Sequence, residues 1–62
     1  MKVVIEFECN NDAFKQWFEH EVSCLLSSAS VALSDMRQAG IFEEIALRDT
    51  NGNTVGKVSV TL

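Results

Sequence analysis

The chain has 62 residues, 47% of them apolar, and a formal net charge of −4. That length makes one small domain, whose fold buries only about 60% of the surface its unfolded chain exposes. The apolar content excludes a disordered tail, and the absence of proline argues against linkers or low complexity.

A core of this size supplies roughly 3–5 kcal/mol, so chains like this often gain a disulfide, a metal or an oligomeric partner. Cys9 and Cys24 are the only cysteines and His20 the only histidine. Cys9 ends a strand-like run and Cys24 falls inside a helical pattern, so two reduced thiols acting as small apolar residues are expected. No second pair or His cluster completes a zinc site. Oligomerisation is the remaining source of extra stability. The charge balance, nine carboxylates against five scattered bases, disfavours direct contact with nucleic acid, because duplex binding rests on Lys and Arg at phosphates. Mimicry of DNA by the carboxylates is a weaker reading than ordinary acidic solubility. No charged segment leads into a long apolar one and no run of 18 apolar residues occurs, so a cytoplasmic protein without a membrane span is expected.

In chain order, Lys2 to Glu8 reads as a strand: Val3, Ile5 and Phe7 alternate with Lys2, Val4, Glu6 and Glu8. Asn10-Asn11-Asp12 breaks the pattern and offers side-chain oxygens to the orphan N–H groups of a helix start. From Asp12 to about Ala39 the period becomes helical. Phe14, Phe18, Val22, Leu25, Ala29, Ala32, Leu33 and Met36 gather within about one third of the circumference. Gly40 stands where a left-handed terminator is expected, with Arg37 in the last turn. A helix of that length exceeds what so small a domain needs, so the turns through Trp17 are either continuous with it, a kink or a separate segment.

Ile41 to Asp49 and Thr54 to Leu62 are the second and third strands, joined at Asn51-Gly52. That dipeptide is the strongest short-range signal for a two-residue type I′ hairpin, which requires positive φ at both positions. Pairing Thr50 with Asn53 sets Leu47 opposite Gly56, Ile45 opposite Val58 and Glu43 opposite Val60. The inward set is then Ile45, Leu47, Val58, Val60 and Leu62, and a one-residue slip would scramble it. The predicted fold is α+β, a two-layer βαββ domain of one long helix on a three-stranded, antiparallel sheet of order 1-3-2. Order 1-2-3 is the alternative.

Little in the sequence carries chemistry. In Glu19-His20-Glu21, adjacent helix residues point about 100° apart and cannot converge on one atom, so a solvated cluster is expected. His20 and Cys24 make a two-ligand pair at best. Cys24 and the serines lack a base with an orienting third group, and Gly40, Gly52 and Gly56 are spaced for turns and close packing, not for a phosphate loop. No catalytic, cofactor-binding or metal-ligating residue is assigned, and the chain is read as non-enzymatic. Surfaces are more informative. Trp17, Cys24 and Val31 recur at seven-residue steps beside the main stripe, and Trp is enriched at interface hot spots. Ser23, Ser27, Ser30 and Ser34 form a smooth stripe on the polar side. On the uncovered sheet face, Val4, Phe42, Ala46 and Val55 are expected to make an apolar pairing surface, and exposed edge strands could join a neighbour's sheet.

The segment Leu47 to Gly56, Leu-Arg-Asp-Thr-Asn-Gly-Asn-Thr-Val-Gly, resembles the C-terminal hairpin of small proteins encoded by bacteriophages and prophages. Weaker matches are Asn11 to Phe14 and Val22 to Leu26; after Leu26 this helix is rich in Ser where such proteins carry Arg, Asp and Glu. The resemblance implies a phage source, a bacterial host's cytoplasm and a compact βαββ fold, and no activity. The reading is a self-associating accessory protein, most simply a homodimer, that binds a host protein. An acidic inhibitor of a host nucleic-acid-processing or defence protein is the alternative.

Overall fold

The computed structural model describes all 62 residues as β1 (Lys2–Phe7), α1 (Asp12–Ala39), β2 (Ile45–Arg48) and β3 (Thr54–Thr61). The three strands form an antiparallel sheet in the order β1-β3-β2, covered on one face by α1. This is the expected two-layer fold and strand order. The central strand is β3, whose Val58 is fully buried. Around it Phe14, Leu25, Ala29, Met36 and Leu47 complete the core, and Phe7 stacks on Phe14 with ring centroids 6.5 Å apart.

The helix begins and ends as its sequence predicts. Asn11 has extended backbone, and its Oδ1 accepts from the Phe14 amide at 3.4 Å. At the other end Gly40 adopts φ 71°, and Gly40 N and Ile41 N donate to the carbonyls of Arg37 and Met36. That is a Schellman termination, which leaves two of the last carbonyls satisfied. Between the ends, Trp17 departs from helical geometry at φ −133°, ψ 50°, so α1 is one helix with a kink in its second turn. The kink has a visible effect. Asn11 and Glu21 are ten residues apart, on the order of 15 Å along a straight helix, yet they bond adjacent residues of the same turn, Asp49 and Thr50. The kink also takes Phe18 out of the apolar stripe: expected in the core, it is 54% exposed.

The hairpin differs from the expected two-residue turn in an instructive way. Asn51 does not take positive φ; Gly52 alone does, at 85°. Gly52 N donates to Asp49 O and Asp49 N to Asn53 O, both at 3.0 Å. The loop is therefore the three residues Thr50-Asn51-Gly52, a type I turn followed by a left-handed glycine. The cause is Asp49, whose carboxylate accepts from the amides of Asn51 and Asn53, both at 2.9 Å. An Asp at the first position of a type I turn favours that turn by this bond.

A three-residue loop alone would slip the register by one. Arg48 indeed pairs with Thr54, but a β-bulge follows, and Leu47 pairs with Gly56 and Ile45 with Val58 as the hydrophobic pattern demands. Val55 is the extra residue of that bulge. It turns in to pack against the core and does not lie on the open face. The strand β2 is shorter than expected, so the Glu43–Val60 pair does not form within it, and Leu62 is exposed.

Candidate functional site

The hairpin turn is tied to the helix by polar side chains whose role is not legible in the sequence. Asp49 is 6% exposed; its Oδ2 accepts from Asn11 Nδ2 at 2.5 Å and from Asn53 Nδ2 at 3.4 Å. Burial by itself would raise the Asp49 pKa, but hydrogen bonds from the Asn53 amide, the Asn11 and Asn53 side chains and the Asn51 amide outweigh it and hold the carboxyl below its ordinary value. Glu21 is 2% exposed, correcting the expected solvated cluster. Its carboxylate accepts from Thr50 N at 3.3 Å and from the Thr50 hydroxyl. No buried side-chain nitrogen or oxygen is left without a partner, so this cluster is structural: its buried carboxylates hold the turn and join it to the helix.

Glu21 points inward to Thr50 while His20 lies on the exposed side, its Nε2 3.7 Å from Cys24 Sγ. The pair His20/Cys24 comes together as its four-residue spacing implies, and no group of three His, Cys, Asp or Glu side chains converges.

The open sheet face is more polar than expected. Phe42 and Val55 both pack against the core, which leaves Val4 and Ala46 as the apolar residues of that face. Around them Lys57 lies 3.6 Å from Glu6 and 3.0 Å from Glu44, spanning the sheet. The hydrogen bond and charge of Glu44, then the charge of Glu6, hold the Lys57 ammonium above its ordinary pKa. This face is laced by ions and does not present an apolar patch. Five of the nine carboxylates are engaged: Glu6, Asp12 and Glu44 are paired with lysines, and Glu21 and Asp49 are buried.

The apolar surplus sits instead on the flanks of α1. Trp17 is 64% exposed and Val31 61%, with Cys24 half-buried between them. Asp35, on the same side of the helix as Cys24 and Val31, lines a groove with Ile41, Glu43 and Ile45, which places those two on the β2 flank; Trp17, at the kink, lies beside His20, Glu21 and Thr50 instead. On the opposite flank Leu33 meets Met1, Val3, Phe42 and Val60 in a shallow groove. Leu26, 49% exposed, lies on that side of the helix too. Val3 and Ile5 share the face of Val60 and Val58, but α1 leans over β2 and β3 and leaves them 48% and 39% exposed. The sequence pattern marked Val3 and Ile5 as inward-facing and could not show that the helix would not reach them.

No family model, curated protein or solved structure matches this chain. No helix is long and apolar enough to cross a membrane.

Proposed function

We propose that this chain is a non-enzymatic accessory protein of phage or prophage origin that acts in the bacterial host by binding protein, itself included. The observation that carries the reading is the uncovered apolar surface: Val3, Ile5, Trp17, Phe18, Leu26 and Val31 are each 39–64% exposed. The total accessible surface, 4427 Å², exceeds the about 4,000 Å² typical of a folded monomer of this mass. Large exposed apolar patches on a small chain mark contact with another protein. The phage origin rests on the resemblance at Leu47–Gly56. An acidic inhibitor draws less support, because five carboxylates are buried or paired with lysine.

The test is affinity capture from host lysate with the native chain and Trp17→Ala side by side, followed by affinity measurement on the purified partner. The proposal expects Trp17→Ala to weaken binding at least tenfold, the usual cost of a hot-spot tryptophan at about 2 kcal/mol or more. Equal affinity of both forms would remove the helix column as the interface.

A further inference from the structure

Resting on that reading, we propose that the partner on β1 is a second copy of the chain, paired antiparallel edge to edge with Val4 on the two-fold axis, to give one six-stranded sheet. β1 is an edge strand bonded only to β3. Glu8 N donates to Val55 O at 2.9 Å, continuing the β1–β3 ladder. In an antiparallel ladder, hydrogen-bonded and non-bonded pairs alternate. Glu6–Lys57, Val4–Ser59 and Lys2–Thr61 therefore use their backbone groups toward β3. Val3, Ile5 and Phe7 direct theirs to the free edge.

An incoming copy must match those groups. Odd-numbered residues must face odd-numbered ones, so a one-residue slip is forbidden by the backbone alone. Centring on Val4 sets Val3 against Ile5 of the other copy, both apolar, on the helix side where these residues are 48% and 39% exposed. It also sets Lys2 against the other copy's Glu6 on the open face. Lys2 makes no ion pair within its own chain, and Glu6 is held from one side only, by Lys57 at 3.6 Å. The pairs Val4–Val4 and Lys2–Glu6 fall at non-bonded positions, where side chains approach most closely. Shifting by two residues toward Ile5 sets Lys2 against Glu8 but leaves Glu6 opposite Val4 on both sides of the axis; shifting the other way leaves Lys2 opposite Val4. Of these registers, the Val4-centred one alone fits the backbone and leaves no charged side chain opposite an apolar one. The other edge, β2, has four residues and offers less.

Sedimentation of the full chain at low salt tests this with three variants whose folding is checked by circular dichroism. Val3→Pro removes an amide that faces the free edge and is tolerated there by the fold; it is expected to raise the dimer dissociation constant roughly tenfold or more. Lys2→Glu and Glu6→Lys each create two like-charge pairs and weaken association by about fivefold or more. Mixed together they restore opposite charges at both positions, so a heterodimer as tight as the native dimer is expected. A native dimer unmoved by Val3→Pro, or a mixture no tighter than its separate components, overturns β1 pairing while leaving association through another surface. A native chain monomeric at about 100 μM overturns self-association altogether, without touching the binding of a different protein.

Discussion

At the scale of single residues, the fold depends on a few groups whose environments are unusual. Asp49 is the acceptor around which the turn is built. Its pKa is depressed in the folded state, so its contribution to stability is full above the ordinary carboxylate value of about 3.9 and is lost as pH falls through the folded-state value. Asp49→Asn should therefore melt lower than the native chain at pH 7, and the gap should narrow below about pH 4. Thermal melts from pH 7 to pH 2 measure this; a gap that stays constant would show that the carboxylate charge plays no part. Gly56 is constrained differently. A Cβ there would collide with the Glu6 carbonyl and lie 2.5 Å from the Phe7 Cα, because glycine lets β1 approach β3 beside the bulge. Gly56→Ala should cost about 2 kcal/mol or more, as overpacking against backbone does, and urea unfolding checks it. Trp17→Ala, by contrast, removes a side chain that is 64% exposed, and should change the urea midpoint little while weakening binding of the captured partner protein.

At the scale of elements, the strands, the helix and their order were legible because alternation, three- and four-residue spacing and terminal Asn and Gly all agreed. The misses share a cause: side chains acting across elements. The dipeptide Asn51-Gly52 pointed to a two-residue loop, but the Asp49 carboxylate selected a type I turn, and the bulge at Val55 absorbed the extra residue. Of the expected inward set, Ile45, Leu47, Val58 and Val60 pack in or against the core although the loop that delivers them differs, and Leu62 is exposed. Two changes cancelled, and Val55 moved from the open face to the core. Phe18 and Glu21 were misplaced for a related reason, since helical periodicity assumes a straight axis and the kink at Trp17 changes what each residue meets. Glycine at position 52 remains essential to the turn in either form. Gly52→Val should cost roughly 1–2 kcal/mol for forcing a side chain into the left-handed region, lowering the melting temperature by several degrees; an unchanged melt would contradict the positive φ.

At the scale of the whole molecule, the chain is elongated, 37 × 17 × 16 Å with a radius of gyration of 12.1 Å, against the about 10.5 Å typical of a domain this long. A 28-residue helix lies on strands of at most eight residues and leans toward one edge of the sheet. Only nine residues are buried, so the core is thin and the uncovered flank beside β1 is wide. The alternation of β1 marked Val3 and Ile5 as one apolar face, but their exposure depends on where the helix settles across the sheet, and Leu26 carried no signal of its own. The proposed second copy on β1 would cover this surface and add stability to so thin a core.

Sedimentation equilibrium of the native chain at tens of micromolar tests that account most directly. It predicts a mass near twice the 6.9 kDa of one chain, with a melting temperature that rises with concentration. A strict monomer with a concentration-independent melt would contradict it.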